Sequence, residues 1–512
     1  MAFKKLEAPP VPPCKKFVPS PQQAAIFTAM GEPQHLIVQA LAGSGKTESL
    51  IQGLKRLPQS IRSRIGFCAF NKSIAAELKA RVPPGVIAAT MHTMGLQALN
   101  RHLGEFDLDF DKVDKILDDL TNRKLVGFEK RAVGKLVSLC KAFLMDGEDE
   151  SLLADLSVQY DIDVRPSLYD LVPEVLTECE TRLDAIDFDD MLWLPIVLDV
   201  NCKQFDTLCV DEAQDTNICQ QELALRFADR LILAGDSRQA IYHFRGADSA
   251  AMERMAERLI EWGSEKPSLT TLPLTVTRRC PQSHVALTNR LVPELEALPE
   301  TGEGVIETSS PEKILREAEP GWMVLCRTNA PLVSGAYSLL KEDRKAIIQG
   351  RDIGQGLEAL LNRLKPVDVE DAYRKLTSFE DRERGRIQTK GGWSQDYLLA
   401  ALADKCDCLR TCCNGLDTAN EVKARIRSLF SDIDSAHPAG SAVVFSTVHK
   451  AKGTEADTVA ILRTDQMPCT WSKDQQGELN IIYVAITRSR HRLIFADALP
   501  KPLGFDKLTP RR

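Results

Sequence analysis

His35-Leu36-Ile37-Val38-Gln39-Ala40-Leu41-Ala42-Gly43-Ser44-Gly45-Lys46-Thr47 joins a short apolar run to an amphipathic one through a glycine-rich turn. The apolar run His35–Gln39 predicts a buried strand, and the stretch after Thr47, over Glu48–Leu57, predicts a helix. Glycines let a chain turn tightly and aim several N–H groups at phosphate oxygens. The N-terminus of the following helix adds partial positive charge. In such a loop Ala42, Gly43, Ser44 and Gly45 would cradle phosphates. Lys46 would reach the β- and γ-phosphates, and the Thr47 hydroxyl would ligate Mg²⁺. The first position is Ala40 in place of Gly. A glycine-rich turn that ended in Lys-Thr by coincidence would need neither the strand before it nor the helix after it.

A phosphate loop calls for an acidic partner at the end of another strand. Leu208-Cys209-Val210-Asp211-Glu212-Ala213-Gln214-Asp215 has that form. Asp211 would hold Mg²⁺ through water, and Glu212 would orient and deprotonate an attacking water. Alone, the motif reads equally well as a solvated acidic loop.

The rest of the chain repeats this alternation. Short Val/Ile/Leu-rich runs at Ile65–Phe70, Val86–Thr90, Thr207–Val210, Leu231–Ala234, Trp322–Cys326, Val443–Thr447, Thr458–Leu462 and Arg492–Phe495 suit strands of parallel sheets covered on both faces. Helical periodicity dominates Leu96–Leu183 and Leu357–Phe430. The pattern predicts an α/β protein with two domains, each interrupted by a helical insertion. The chain has 512 residues, 44% of them hydrophobic and 27% charged. This is a globular composition, which excludes collagen-like and disordered classes. Its 14 cysteines form no regular framework and point to a reducing compartment. No signal-like or membrane-length apolar run is visible, so a cytoplasmic location is expected. The net charge of −7 argues at first against a polyanionic partner. Its distribution removes that objection: residues 101–190 carry a net −12, whereas residues 1–100 carry a net +8.

Further motifs make the reading specific. Leu233-Ala234-Gly235-Asp236-Ser237-Arg238-Gln239-Ala240-Ile241-Tyr242-His243-Phe244-Arg245-Gly246-Ala247 resembles motif III of the UvrD/Rep-type superfamily 1 DNA helicases. Asp211–Asp215 is similar to their motif II, Thr447–Glu455 to motif V, and Tyr483–Arg488 to motif VI. Gln23 matches the adenine-reading glutamine ahead of the phosphate loop. Asn71-Lys72, Thr90-Met91-His92-Thr93 and Asp187-Phe188-Asp189-Asp190 fall where further family motifs are expected. The order is the family's, and the matches run from Gln23 to Arg488. Three positions depart from the pattern. Motif IV is Thr277-Arg278-Arg279, with Arg278 replacing the aromatic that commonly flanks the base. Phe244 stands for the usual Trp. Ala69 stands where Phe is frequent.

The resemblance implies two RecA-like P-loop domains with parallel sheets and ATP bound between them. The expected boundaries are 1–100 with 184–265 and 266–360 with 440–512. The helical insertions are then 101–183 and the short 361–439. Arg279 and Arg488 would stabilise charge at the γ-phosphate from the second domain, and Gln239 would sense that phosphate. Glu455 would contact the ribose. Asn71, Thr90, His92, Tyr242, Phe244, Arg245, Thr447 and His449 would meet DNA. Stacking on aromatics tolerates any base, although an isolated aromatic is more often core. The implied activity is ATP-driven translocation on single strands with 3′→5′ unwinding, by a chain that is monomeric in isolation. Single strands and single/double-strand junctions are the expected partners. The alternative is a DNA-stimulated ATPase serving as a switch or recruiting subunit in a repair, phage or defence assembly, with a protein partner. Two further signals carry less. Cys406, Cys408, Cys412 and Cys413 match no usual metal-ligand spacing and read better as free thiols on a helix. The basic run Arg382, Arg384, Arg386 and Lys390 beside Trp393 reads better as a solvated face than as a grip on duplex DNA.

Overall fold

The structure is a computed structural model that describes residues 17–69, 71–160, 162, 164–241, 250–261, 269–390, 395–430, 440–470, 472 and 474–503. Two six-stranded sheets organise the chain. The first runs Ile87–Thr90, Ile65–Ala69, Phe205–Asp211, Ala228–Gly235, His35–Ala40, Leu269–Leu274, all parallel. Alternate residues of His35–Ala40 enter different cores. Leu36 and Val38 pack with Ile26, Leu50 and Ile232, whereas Ile37 packs with Met94, Val210 and Leu233. Burial on both faces is why the strand reads as an unbroken apolar run.

The second sheet runs Val305–Ser309, Ser489–Ala496, Ala456–Ile461, Met323–Cys326, Val443–Thr447, Ala346–Ile348, again all parallel. The mixed α/β class with two parallel sheets agrees with two RecA-like domains.

Within these two sheets, three strands have no counterpart in the sequence reading: Leu269–Leu274, Val305–Ser309 and Ala346–Ile348. Each lies at a sheet edge. The first two are half exposed and carry Thr, Glu or Pro, so they lack an apolar run. The third has only three residues. Leu269–Leu274 also corrects a boundary. It pairs with His35–Ala40, so the first sheet extends beyond residue 265, where the sequence reading ended the first domain.

The first insertion packs the helices Lys112–Leu120, Gly127–Phe143 and Leu171–Thr181 into one core with Met94, Leu99 and Leu223. Inside it lies a buried charge cluster. Lys112 Nζ is 2.6 Å from Asp190, and Lys141 Nζ is 2.7 Å from Asp190 and 3.0 Å from Asp187. Cys179 adjoins these carboxylates, but the two ammonium groups already neutralise them. The cluster fixes the loop that carries Phe188.

The second insertion shares its core with the second sheet. Leu376, Phe379, Leu409, Val422 and Ile426 pack with Val324, Leu332, Ile348 and Phe445. Asp404, on the helix Gln395–Cys413, accepts hydrogen bonds from the N–H groups of Asn329 and Ala330 at 3.0 and 2.7 Å. Cys406, Cys408, Cys412 and Cys413 are free and buried in this core. Burial pushes the Cys412 thiol up to about 12. Arg384 pairs with Glu380 at 2.8 Å and Arg386 with Glu383 at 3.2 Å, as on a solvated face. Trp393 lies outside the described residues. Among the described residues, no helix is long and apolar enough to cross a membrane.

Candidate active site

The glycine-rich loop connects the strand His35–Ala40 to the helix Lys46–Leu54. Gly43 and Gly45 have φ of +71° and +83°. A Cβ on Gly43 would come within 2.5 Å of Thr277 Oγ1 and 2.6 Å of Arg279 Cβ. Glycine is therefore required there twice over, by conformation and by the close approach of the segment Thr277–Arg279. That segment is tied on by Arg278 N–H, which donates to Gly43 O at 2.8 Å.

Beneath the loop, Lys46 Nζ lies 2.6 Å from Glu212 Oε2, and the Thr47 hydroxyl donates to Asp211 Oδ2. Gln214 Nε2 also donates to Glu212, at 2.7 Å. Glu212 is held in a left-handed conformation, φ +55°, immediately after the strand Phe205–Asp211, a strained choice for a non-glycine residue. Burial works to raise the Glu212 carboxyl, but Lys46 and then Lys452 outweigh it and hold it below the ordinary range. Burial, reinforced by Glu212, raises Asp211. Two hard oxygens in contact, one on a buried carboxylate with no Lys or Arg ion pair among the described residues, suit a small divalent cation.

The second sheet closes on this site. Tyr483, on the helix Gln475–Ile486, donates its hydroxyl to Asp236 Oδ2 at 3.0 Å and accepts from Ala42 N–H at 2.7 Å. Gln239 Nε2 donates to the same Asp236 oxygen at 2.6 Å. Arg488 Nη2 comes to 3.5 Å from Gln239 Oε1. Arg279 forms an ion pair with Glu455, and its Nη1 donates to Thr487 O at 3.4 Å. Lys452 Nζ donates to both Asp215 oxygens at 2.7 Å. Arg488 is 1% exposed and has no carboxylate partner among the described residues. Burial, then the neighbouring Arg279 guanidinium, push it down to about 10. A buried cation in that state is poised for an anion.

The residues expected to meet DNA divide. Asn71 caps the helix Lys72–Arg81 by accepting from Ile74 N–H at 2.8 Å. Thr90 caps Met91–Leu103, and Thr447 Oγ1 accepts from Lys450 N–H at 3.3 Å. All three sit just after or at the C-terminal end of a parallel strand, the end where open α/β sheets bind ligands. The His92 ring stacks on Phe188, with centroids 3.9 Å apart. Burial, with help from Lys72, pushes His92 down to about 4, so it is neutral near pH 7. A narrow crevice lined by Cys68, Ala69, His92, Asp211 and Glu212 joins this region to the acidic motif. His449 is half-buried. Tyr242, Phe244 and Arg245 lie outside the described residues. Gln23, expected at the base, lies against Ser49 of the helix Lys46–Leu54.

Sequence reasoning gave no role to Asp215, Lys452, Asp236 or Tyr483, which bridge the sheets, nor to Phe188, which is 46% exposed. All five lie inside motifs already singled out, and their charge or aromaticity was the available signal.

Comparison with known proteins matches residues 20–259 to the UvrD/REP helicase N-terminal domain and residues 403–498 to the UvrD-like helicase C-terminal domain. The chain is 24% identical to F-box DNA helicase protein 1 of Schizosaccharomyces pombe, over 97% of this chain and 59% of that protein. It is 29% identical to ATP-dependent DNA helicase PcrA of Bacillus subtilis, over 44% of this chain and 34% of that protein. It is 28% identical to ATP-dependent DNA helicase Rep of Escherichia coli, over 45% and 37%. The chain thus spans less than two thirds of the length of each of these relatives. With both motor sheets and the ordered motifs in place, the chain belongs to the UvrD/Rep-type superfamily 1 helicases.

Proposed function

We propose that this chain is an ATP-driven single-stranded DNA translocase and 3′→5′ DNA helicase. The observation that carries this reading is the convergence of Tyr483 and Arg488, from the second sheet, on Asp236 and Gln239 at the end of the first. A nucleotide bound at the loop would then lie between two bodies, and its charge would decide how tightly they close.

In this reading Lys46 leaves Glu212 for the phosphates. Glu212 thereby loses its main counter-charge, and its pKa rises towards values at which it can take a proton from water. Thr47 and Asp211 would hold Mg²⁺, which when bound neutralises phosphate charge. Arg488 and Arg279 supply the remaining positive charge, and Glu455 moves between Arg279 and the ribose. Gln239 reports the γ-phosphate to motif III. Gln23 faces the base. Asn71, Thr90, His92, Thr447 and His449 contact DNA, as do Tyr242, Phe244 and Arg245. Phe188 joins them as an exposed stacking surface. The two motor domains carry the insertions 101–183 and 361–439. The chain works as a monomer on single strands and junctions, in the cytoplasm. Every described cysteine is free and buried, in keeping with a reducing compartment.

Phosphate release with and without single-stranded DNA, followed by strand separation on 3′-tailed and 5′-tailed duplexes, tests the reading. It requires stimulation by DNA, loss of hydrolysis in Lys46→Ala and preference for the 3′ tail. Hydrolysis indifferent to Lys46→Ala would defeat it, and preference for the 5′ tail would reverse the polarity. Strong stimulation without strand separation would make the chain a switch or recruiting subunit.

A further inference from the structure

The amide of Gln23 has little left to offer a base. Gln23 is 1% exposed. Its Oε1 accepts from Ser20 N–H at 3.1 Å and from Arg278 Nη2 at 3.1 Å. A carbonyl oxygen has two lone pairs, and both are engaged. Its Nε2 donates to Ser49 Oγ at 2.9 Å, and Ser49 in turn donates to Gly45 O at 2.8 Å. That chain fixes which end of the amide is nitrogen. One Gln23 N–H remains. Beside it stands the Arg278 guanidinium, which has five donors and no acceptor.

Both residues are anchored to the phosphate loop. Ser49 belongs to the helix that begins at Lys46, and Arg278 N–H is bonded to Gly43 O. Arg278 is exposed at the mouth of the site.

We infer that Arg278 sets the base preference of the nucleotide site, making it a donor-only edge that accepts 6-oxopurine nucleotides as well as ATP. This rests on the reading that a nucleoside triphosphate binds at the loop with its base towards Gln23. An adenine 6-amino group needs an acceptor, and the Gln23 oxygen can serve only if Arg278 withdraws. A 6-oxo group and N7 are acceptors, and a guanidinium fork can meet both at once. The flat, weakly hydrated guanidinium can also lie over a purine face in place of an aromatic ring.

Equilibrium binding decides the matter, by displacing a fluorescent ADP analogue with ADP, GDP or IDP. Binding is read apart from turnover, so a chain that hydrolysed nothing would defeat the proposed function and still report its base preference. In the wild type, GDP and IDP are expected to bind within about tenfold of ADP, the equivalent of about 1.4 kcal/mol. Arg278→Ala frees the Gln23 oxygen and is expected to shift the ratio towards ADP by about tenfold or more. Arg278→Tyr should shift it the same way, giving a second variant at an exposed position. A wild-type preference for ADP above about tenfold, or a ratio unchanged in both variants, would overturn the inference.

Discussion

Lys452 Nζ sits 2.7 Å from each carboxylate oxygen of Asp215, and the pair is buried between the two sheets. The same ammonium donates to Gln239 O at 2.5 Å. One residue of motif V thus holds both the acidic motif and motif III. Removing one partner of a buried pair leaves the other uncompensated, at a cost of about 3–5 kcal/mol. Lys452→Ala is therefore expected to lower the thermal midpoint and to uncouple hydrolysis from DNA. Calorimetry and DNA-stimulated phosphate release check this.

Asp215 also predicts a pH dependence. Burial, partly offset by Lys452, pushes its carboxyl up to about 6 from an ordinary 3.8. A carboxyl raised on folding contributes stability that is fully present below 3.8 and is lost as pH rises through about 6. Wild type should therefore gain on Asp215→Asn, by on the order of 1 kcal/mol, as pH falls from about 7.5 to 5. Parallel denaturation of the two proteins would show a constant difference if the carboxyl titrated normally.

Tyr483→Phe deletes one hydroxyl and two contacts. Ala42 N–H and Asp236 Oδ2 each lose a partner in a buried setting. The expected cost is about 1–3 kcal/mol of stability. Hydrolysis should fall in kcat more than it rises in KM, because the phenol joins the loop to motif III without reaching the phosphates. Steady-state kinetics across ATP concentrations separate the two effects.

Phe188→Ala should weaken binding to single-stranded DNA by about 1–3 kcal/mol, the range for base stacking on an aromatic. The loss should be similar for different sequences, since every base has a face to stack. Because His92 stays neutral above about 4, the wild-type affinity should not change between about pH 6 and 8 through this ring. Fluorescence anisotropy with labelled oligonucleotides measures both.

Excision of residues 369–430 is expected to abolish soluble expression of the second domain. Leu376, Leu409, Val422 and Ile426 fill the same core as Val324 and Phe445, so the cut opens a sheet face. Recovery of a folded remnant by circular dichroism would contradict this.

The phosphate loop, the acidic motif and most buried strands were legible because local pattern determines them. His35–Ala40 alternates into two cores and so reads as apolar throughout. Leu269–Leu274 was illegible for the opposite reason: it borders solvent and mixes Thr with Pro. The bridges were illegible because the partner is chosen by tertiary geometry. Lys452 and Asp215 are 237 residues apart, and nothing near either names the other. Arg278 was legible as a departure, but its seat on the Gln23 oxygen was not.

Asp404 gives the short insertion a mechanical meaning. It grips the backbone of Asn329 and Ala330, just past the strand Met323–Cys326. The adjoining Arg327 grips Glu478 at 2.9 Å, on the helix that carries Tyr483. A load applied to the insertion therefore has a path of polar contacts towards the cleft. Anything that leaned on those helices would be pulling on the latch at Asp236.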